Sequence, residues 1–317
     1  HECARTMTID PKRLIHLTRI ADAGSFTAAA QALNISQPAL SNSIAALEKS
    51  LGVRLFERTH QGATLTDFGQ VLYGYAQTLE TVLARAGEEI EHKRHGFAGG
   101  LIVGATPVAS AEIVPEAVAR LMADVPNASV SVVDGVDDAL ADALKRGELD
   151  LIVSPITVRA EFPDIEDEIL LPDSFVLVAR PHTSWARLNA VQLEQLRDAT
   201  WVMPNIGSST RKHIETLFLT AGEPWPSRVV SMTSTLAITS LVMRTDFVAV
   251  MSRQLVQTEV RVGLLAAIPL SNPSPFRAVG MRVSRNAARS PLTEHFMTIL
   301  RAVGGGLAKG KDPVVRR

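Results

Sequence analysis

The 317-residue chain contains a single cysteine, Cys3. One cysteine cannot form an intrachain disulfide, a cysteine-rich zinc site or a two-cysteine redox switch, so these features are excluded. No uninterrupted apolar run approaches the roughly 18 residues of a membrane span. Residues 1–6 form no apolar signal core and are given no role in the fold. We therefore expect a soluble, cytoplasmic protein without a membrane partner.

The chain also lacks an excess of charge of either sign. Thirty-two basic against thirty-three acidic residues give a net charge of −1. A polycation that coats nucleic acid or membrane is therefore excluded, whereas a locally cationic module is not. Hydrophobic residues make up 46% and charged residues 21% of the chain, which is typical of globular proteins. The length then predicts two or more folded domains.

Compact enzyme signatures are missing from the sequence. There is no phosphate loop, no His-Glu-x-x-His, no Gly-x-Ser-x-Gly and no dinucleotide fingerprint. The histidines are scattered without metal-ligand spacing. We expect neither enzymatic activity nor a cofactor. A solute-binding or carrier protein remains an alternative for the C-terminal part.

Residues 8–66 are interpreted as short helices separated by small polar residues. Asp10 precedes Pro11 at a first helical position, and Ser25 and Ser36 begin the second and third helices. Two helices joined by a turn of about four residues have the outline of a helix-turn-helix.

The third helix has two different faces. Aliphatic residues at steps of four and three predict its buried stripe, namely Leu40, Ile44, Leu47 and Leu51. Its outer side and exposed start carry mostly small, amide or hydroxyl residues: Gln37, Pro38, Ser41, Asn42, Ala45 and Lys49. Amides can pair with adenine edges, and alanine and proline can contact thymine methyls. We predict that this face reads base edges in a DNA groove; a solvent-facing or protein-contacting face is the alternative.

A small hairpin is predicted from Leu55 to Thr66. It places Arg58 and Gln61 near its tip, where an arginine can enter a narrow minor groove. A surface salt bridge of Arg58 with Glu57 or Asp67 is the alternative.

Residues 67–95 are predicted to form one long linker helix. Apolar residues recur at steps of three and four as a heptad-like seam: Phe68, Leu72, Tyr75, Leu79, Val82, Ala86 and Ile90. The seam favours self-association, and packing on the helix's own domain is the alternative. Pairing matters because seven basic and five acidic residues through Thr66 leave about +2, too little for one module to hold phosphates firmly.

Residues 96–317 alternate strands and helices, which predicts a mostly parallel sheet covered on both faces. The segment is long enough for two lobes. We assign about 97–168 and 273–303 to lobe I and about 169–272 to lobe II. The stretch from Gly304 to Gly306 is interpreted as the start of a loose tail.

Several segments of the first 70 residues form a dense, ordered pattern. They are Gly24-Ser25-Phe26-Thr27-Ala28-Ala29-Ala30, Ile35-Ser36-Gln37-Pro38-Ala39-Leu40-Ser41, Leu55-Phe56-Glu57-Arg58, and Leu65-Thr66 with Phe68-Gly69. This pattern resembles the LysR-type transcriptional regulators, and the resemblance extends over nearly the whole chain. It implies an α+β multidomain protein with a winged helix-turn-helix, a dimerising linker helix and a two-lobed effector domain like periplasmic binding proteins.

The resemblance also implies partners and site residues. The expected partners are promoter DNA, a small-molecule effector and further copies of the chain, as dimer or tetramer, with RNA polymerase as an additional candidate. The family usually has a basic residue after the serine matched by Ser41, where Asn42 stands here. The predicted DNA-binding residues are Ser25, Ser36, Gln37, Pro38, Ser41, Asn42, Lys49, Arg58 and Gln61.

An effector site is predicted at loops that follow strands and precede helices, where free N–H groups favour anions. The resemblance implies that the loop after the first strand and the loop at 208–210 line the inducer cavity. A carboxylate is the expected ligand; plain helix capping is the alternative role of the hydroxyls. The candidate effector residues are Thr106, Val108, Ser110, Val136, Ser208, Ser209, Thr210 and Ser234. Candidate counter-ions, each also open to being a plain surface charge, are Arg159, Arg211 and Lys212.

Overall fold

The computed structural model describes residues 9–59, 62–94, 99–156, 163–206, 208–271 and 277–309. The predictions for residues 1–6, Gln61 and Arg159 lie outside this part of the chain, as do the side chains of Arg58 and Ser209. The chain divides into two compact units: residues up to Gly100 together with Asp142–Glu148, and the remainder from Leu101 onward. Within the described ranges, no helix has the length and apolar character needed to cross a membrane.

The first unit contains the predicted helices and hairpin. Its elements are α1 (Pro11–Ala23), α2 (Phe26–Ala32), α3 (Gln37–Leu51), β1 (Phe56–Thr59), β2 (Gly62–Leu65) and α4 (Asp67–Arg94). The side chains of Asp10, Ser25 and Ser36 accept hydrogen bonds from first-turn amides of α1, α2 and α3. These caps satisfy amides that have no intrahelical partner, and they confirm the three predicted helix starts.

One apolar core holds the first unit together. Helices α1, α2 and α3, the hairpin and α4 all contribute to it, with fully buried residues that include Leu17, Ile20, Ala29, Leu40, Leu47 and Ala76. Helix α4 is continuous over 28 residues, as the linker prediction requires. Leu72 and Leu79 of the predicted seam pack against this core, so the seam is not a single exposed face.

The second unit contains the remaining strands and helices. Its strands are β3 (Gly100–Ala105), β4 (Ser129–Asp134), β5 (Leu151–Ile156), β6 (Ile165–Asp173), β7 (Phe175–Ala179), β8 (Trp201–Pro204), β9 (Val229–Met232), β10 (Ala249–Ser252), β11 (Ala266–Pro269) and β12 (Arg277–Ser284). Its helices are α5 (Pro107–Ser110), α6 (Ile113–Asp124), α7 (Asp137–Lys145, shared with the first unit), α8 (Ser209–Ala221), α9 (Thr235–Arg244), α10 (Gln257–Arg261) and α11 (Pro291–Lys309). Short 3₁₀ helices span Trp185–Arg187, Leu193–Leu196 and Gln254–Val256.

The strands form two lobes, as predicted. Lobe I has a five-stranded sheet of order β4-β3-β5-β12-β6, and lobe II has a three-stranded sheet β10-β7-β11 and a two-stranded sheet β8-β9. Strands β3 and β5 are parallel, as are β8 and β9. Strand β12 runs antiparallel to β5 and β6, and β7 runs antiparallel to β10 and β11. The expectation of a mostly parallel sheet is therefore wrong, because returning strands complete both lobes.

The three glycines near the C-terminus lie within a helix. Helix α11 continues through Gly304–Gly306 to Lys309, so the interpretation of these residues as a loose tail is wrong. A Cβ atom on Gly304 would lie 2.7 Å from the carbonyl oxygen of Leu170. The glycine therefore allows α11 to approach the backbone of β6 closely, which places α11 over the sheet of lobe I.

Candidate nucleic-acid interface and effector site

Helix α3 is oriented by its apolar side. Leu40, Ile44 and Leu47 are buried in the core of the first unit, as predicted, and Leu51 is half-buried. The residues that point away from this core are exposed, namely Ser36, Pro38, Ala39, Asn42, Ala45 and Lys49. Gln37 and Ser41 are half-buried at the start of the helix. The outer side of α3 thus carries short side chains and one cation, which allows its backbone to approach a nucleic-acid groove.

The turn between α2 and α3 depends on one residue with an unusual backbone conformation. Asn34 has φ of 53°, in the left-handed region that asparagine tolerates better than most residues. The N–H of Ile35 donates to the carbonyl of Ala30 over 3.0 Å, which closes the turn. Ser25 is half-buried, and its hydroxyl caps α2 over 3.4 Å to the N–H of Ala28. The two helices are thereby held at a fixed crossing.

The β1–β2 hairpin is attached to α2 and to the residue pair that precedes it. The rings of Phe26 and Phe56 pack edge to face with their centroids 5.5 Å apart. The N–H of Ala63 donates to the carbonyl of Gly24 over 2.9 Å, and a Cβ on Gly62 would lie 2.4 Å from that same oxygen. Only glycine fits this contact, so the hairpin lies beside the start of α2. Arg58 is paired with Ala63 in the hairpin.

Polar contacts attach α4 to α1. The Thr18 hydroxyl donates to Glu80 over 2.8 Å, and the Tyr73 hydroxyl donates to Asp22 over 2.6 Å. This hydrogen bond to Asp22, together with burial, raises the pKa of Tyr73 to about 12. These contacts were not predicted from the sequence. The available signal was the polar spacing of Tyr73, Gln77 and Glu80 on one side of α4.

The opposite side of α4 exposes large apolar residues. They form the α4 stripe, defined as Phe68, Val71, Tyr75, Val82, Leu83 and Ile90, whose side chains are between 52% and 70% exposed. At 100° per residue these positions lie within an arc of about 120°. The half-buried Leu72 and Leu79 lie in the same arc, so the α4 stripe borders the residues that pack on the core. Several large apolar side chains exposed along one helix are unusual on a surface that faces water.

The candidate residues of lobe I lie at two neighbouring loops. The N–H of Gly135 donates to the carbonyl of Ala105 over 3.1 Å, which brings the loop after β4 beside the loop after β3. Thr106 is buried, and its hydroxyl has no hydrogen-bond partner among the described residues. The other candidate residues of lobe I differ in exposure. Val108 is buried, Ser110 is half-buried and Val136 is 70% exposed.

A second buried hydroxyl lies near Thr106, at a residue that was not predicted from the sequence. Ser154 is fully buried, and its hydroxyl also lacks a hydrogen-bond partner among the described residues. The N–H of Thr106, which directly follows β3, donates to the carbonyl of Val153 in β5 over 3.1 Å, so Thr106 and Ser154 belong to neighbouring segments of lobe I. Buried polar groups in folded proteins normally have a partner.

The candidate residues of lobe II also form one neighbourhood. The N–H of Asn205 donates to the carbonyl of Met232 over 3.1 Å, so the loops before α8 and α9 lie side by side. The hydroxyl of Ser208 accepts from the N–H of Arg211 over 3.1 Å, and that of Ser234 accepts from the N–H of Ala237 over 3.3 Å.

Ser208 and Ser234 therefore act as helix caps, the alternative role given above for these hydroxyls. Thr210 is half-buried in the first turn of α8, whereas Ser234 is exposed at the start of α9. Ser209 begins α8. Among the described contacts, none joins these loops of lobe II to the candidate loops of lobe I.

Arg211 is already engaged within lobe II. Its side chain lies 2.9 Å from Glu215 and 3.3 Å from the carbonyl of Pro204. Its guanidinium also stacks 4.4 Å from the ring centroid of Trp225. These contacts make Arg211 a structural cation that holds the loop before α8, and the counter-ion hypothesis fits the exposed Lys212 better.

Comparison with known proteins agrees with this architecture. Residues 94–305 match the family model described as the LysR substrate binding domain, and residues 11–70 match that of the bacterial regulatory helix-turn-helix protein, lysR family. The transcriptional regulator GbpR of Azospirillum brasilense is 28% identical over 86% of this chain and 80% of its own length. The regulator GalR of Pseudomonas putida is 27% identical over 92% and 73%, respectively.

Solved structures show the same fold. Full-length CbnR in complex with its target DNA superposes with a TM-score of 0.63 at 22% identity, covering 93% of this chain and all of that one. The relatives named above are transcriptional regulators, so the expectation that the chain is not an enzyme is confirmed. The chain belongs to the LysR family of DNA-binding transcriptional regulators and carries a helix-turn-helix domain followed by an effector-binding domain.

Proposed function

We propose that two copies of the chain pair through α4 and present two α3 helices to the half-sites of a promoter. An anionic effector bound by the two-lobed domain then changes the assembly. In this proposal, residues 8–66 bind DNA, residues 67–95 link and dimerise, and residues 96–317 bind the effector. The observation that carries it is the exposed outer side of α3, which has short side chains while its opposite side is fixed in the core.

The proposed DNA contacts divide by chemistry. Side chains of α3 reach base edges, and Lys49 and the hairpin residues Arg58 and Gln61 approach the backbone and the minor groove. Ser25 and Ser36 cap α2 and α3, whose N-terminal ends favour negatively charged phosphate oxygens. Gln37 and Ser41 contribute from the half-buried edge of the interface.

Pairing follows from the α4 stripe and from charge. The stripe offers an apolar surface that a second copy of the same helix can cover in a two-stranded packing. Because one module carries few net positive charges, two linked modules are needed for firm binding, since linkage raises the effective concentration of the second. Tetramers and contacts with RNA polymerase extend this proposal.

The proposed effector is a carboxylate. The first turns of α8 and α9 begin side by side after Ser208 and Ser234, where helix amides favour negative charge. Thr106, whose buried hydroxyl has no partner among the described residues, supplies a further polar group from lobe I. Val108, Ser110, Val136, Ser209 and Thr210 complete the proposed site.

The effector acts by favouring one arrangement of the assembly. A ligand shifts an equilibrium only through a difference in affinity between two states. A difference of a few kcal/mol is enough to change which arrangement of paired α3 helices predominates. Movement of one lobe relative to the other is the type of change that such a two-lobed domain allows.

DNA binding is tested by a mobility shift with the full chain. The probes are a dyad-symmetric fragment from the promoter next to the chain's own gene and a scrambled duplex of equal length. We expect tighter binding to the dyad fragment, with affinity that falls as salt rises. Equal affinity for both duplexes at every salt concentration would contradict the proposal.

Effector binding is tested by thermal shift with a set of small carboxylates and their amides. We expect stabilisation by at least one acid and not by its amide, because the proposed site favours negative charge. Ser208→Ala should reduce this stabilisation, whereas Thr220→Ala at the far end of α8 should not. Equal shifts for the acid and its amide would exclude an anionic ligand, and an undiminished shift in Ser208→Ala would exclude the proposed location.

A further inference from the structure

The polar side chains of α3 are nearly all used within the protein. The Gln37 amide donates to the Ser41 hydroxyl over 2.8 Å, and Ser43 bonds to His16 over 2.7 Å. Further along, Glu48 accepts from the N–H of Leu55 over 2.8 Å, and Ser50 donates to the carbonyl of Leu47 over 2.7 Å. Structure is described for every residue of this helix, and these five polar residues of α3 each have an intramolecular partner.

Two polar residues of α3 remain, Asn42 and Lys49. Both are exposed, and neither has a side-chain hydrogen bond or ion pair with the described residues. At 100° per residue, Asn42 and Lys49 lie about 20° apart and almost opposite the buried Leu40, Ile44 and Leu47. The outer side of α3 therefore offers one neutral amide and one cation to a partner.

We infer that Asn42 is the residue that determines base specificity on α3 and that it reads an adenine through N6 and N7 in the major groove. This inference rests on the proposed function and assigns the base chemistry of its DNA-binding face. An amide offers one donor and one acceptor side by side, which matches the acceptor N7 and the donor N6 of adenine. Guanine presents two acceptors at the same edge, so it cannot satisfy both groups.

The surroundings of Asn42 allow so short a side chain to reach a base. Its exposed neighbours one turn away, Pro38, Ala39 and Ala45, carry no long or polar side chain. The helix backbone can therefore lie deep in a groove about 12 Å wide. The bond between Gln37 and Ser41 holds the longer amide at the half-buried edge of α3, which leaves the central position to Asn42.

Lys49 is the second exposed polar residue of α3, and its chemistry differs from that of Asn42. It lies seven residues further along α3, roughly 10 Å at 1.5 Å per residue, and it carries charge without an acceptor. A lysine at the end of a groove-reading helix contacts phosphates, which increases affinity for every sequence. Asn42 and Lys49 therefore predict opposite behaviour in a specificity measurement.

The first experiment selects binding sites from random duplexes with the full chain, Asn42→Ala and Lys49→Ala. We expect Asn42→Ala to lose the preference for adenine at one position of each half-site, with about a 5- to 150-fold loss on the wild-type site, as for one bidentate contact. Lys49→Ala should keep the same consensus, bind all duplexes more weakly and reduce the salt slope by about one. An unchanged consensus for Asn42→Ala overturns the inference, and so does a uniform loss on all sequences.

The second experiment changes the base instead of the protein. Replacing that adenine by 7-deazaadenine removes the N7 acceptor and should weaken wild-type binding, while Asn42→Ala should bind both duplexes equally. An equal penalty for the two proteins would assign the adenine to another residue and overturn the inference. A wild-type chain that selects no consensus would overturn the proposed function as well, so the two failures are distinguishable.

Discussion

Helices α3 and α4 bury one side each in the same core and expose opposite sides of very different composition. The exposed side of α3 consists of Pro38, Ala39, Asn42, Ala45 and Lys49. The exposed side of α4 is the apolar α4 stripe. Both helices satisfy the amphipathic pattern of a core helix, so the buried sides do not distinguish them. The exposed sides distinguish the two helices. A helix that reads a groove needs short side chains with a few polar groups, whereas a helix that self-associates needs large apolar side chains.

Their buried sides differ in a second respect. The core side of α3 buries Leu40, Ile44 and Leu47, and Ser43 beside them bonds to the His16 ring rather than to a carboxylate. The core side of α4 combines apolar packing with hydrogen bonds from Tyr73 to Asp22 and from Thr18 to Glu80. Hydrogen bonds fix direction more strictly than apolar contacts do. The contrast suggests that the angle between α4 and α1 is controlled, which matters if α4 sets the spacing of two α3 helices.

The largest expected effect is on the exposed side of α4. Val82→Glu places a charge in the middle of the proposed helix pairing, where burial of an unpaired carboxylate is strongly unfavourable. We expect the assembly to dissociate and affinity for a dyad site to fall about 100-fold or more, since the second module no longer binds as a linked partner. Sedimentation velocity and a mobility shift on the same preparations measure both quantities.

The control for that variant introduces the same residue on another side of the helix. Gln70→Glu adds an equal charge at an exposed position that points away from the α4 stripe. It should leave the assembly and the affinity close to wild type. If Val82→Glu also remains fully associated, the α4 stripe is not the interface between copies of the chain. The different compositions of the exposed sides of α3 and α4 would then not indicate two different functions.

A smaller effect is expected from the buried side of α3. Leu47→Ala should reduce the free energy of unfolding of the first unit by about 2–5 kcal/mol, because it leaves a cavity in the core. All three tryptophans, Trp185, Trp201 and Trp225, lie in lobe II, so their fluorescence does not report on the first unit. Far-UV circular dichroism should therefore show an earlier urea transition that tryptophan fluorescence does not show.

The exposed side of α3 supplies the comparison for this measurement. Ala45→Ser changes an exposed position on the same helix and should alter the urea transition by less than about 0.5 kcal/mol. A destabilisation by Ala45→Ser as large as that by Leu47→Ala would mean that the outer side is packed against protein, and a groove-reading role would be contradicted.

Local features of the first unit could be predicted because they depend on neighbouring residues. Asp10, Ser25 and Ser36 are capping residues at helix starts, and the period of α3 identifies its buried side. Gln37 and Ser41 were expected at the exposed start of α3 and are instead half-buried, although i, i+4 spacing accounts for the bond between them. The division of the α4 seam could not be predicted, because periodicity does not say which part of a wide apolar side the core covers.

Strand β6 shows why the second unit was harder to predict. Its sequence contains the acidic run Glu166, Asp167 and Glu168, which discourages a strand prediction. In the fold, Asp167 and Glu168 are bonded to Arg282 and Arg301, respectively, over 3.0 and 2.8 Å. These arginines are more than 110 residues away in sequence. Long-range pairing of this kind leaves no periodic signal.

The effector site was predictable only as a set of loops. The capping roles of Ser208 and Ser234 are local, whereas their neighbouring positions depend on β8 and β9 lying parallel. The buried hydroxyl of Ser154 lies inside β5, among buried aliphatic residues. A single serine inside such a strand carries no local signal, since its importance comes from Thr106, which directly follows β3.

A moderate effect is expected from the polar contact between α4 and α1. Tyr73→Phe removes the hydrogen bond to Asp22 and should cost about 1 kcal/mol, since the carboxylate is half exposed. Because the folded pKa is raised to about 12, the bond stabilises the fold fully below about pH 10 and is lost as the pH rises from 10 to 12. The circular dichroism transition of the wild type should therefore weaken over this window, and that of Tyr73→Phe should weaken less.

Tyr75→Phe is the matched control, because Tyr75 lies on the exposed α4 stripe. It should leave both the stability of the first unit and its alkaline pH dependence unchanged. An equal loss in the two variants would show that the bond to Asp22 contributes nothing specific, and the buried sides of α3 and α4 would then be energetically alike.

The smallest effect concerns the polar contact beneath α3. His16 is buried and bonded to Ser43 over 2.7 Å, and burial, with help from Lys12, lowers its pKa below the usual value. The folded state therefore favours the neutral ring, so stability is highest above about pH 6.5 and declines as the pH falls toward the lowered pKa. One proton limits the slope to about 1.4 kcal/mol per pH unit. His16→Gln should flatten the difference between pH 7 and pH 5.5 in the circular dichroism transition, whereas His295→Gln in the second unit should not. If stability still falls between pH 7 and pH 5.5 in His16→Gln, another group causes the acid sensitivity. The contact between His16 and Ser43 beneath α3 would then not depend on pH in this range.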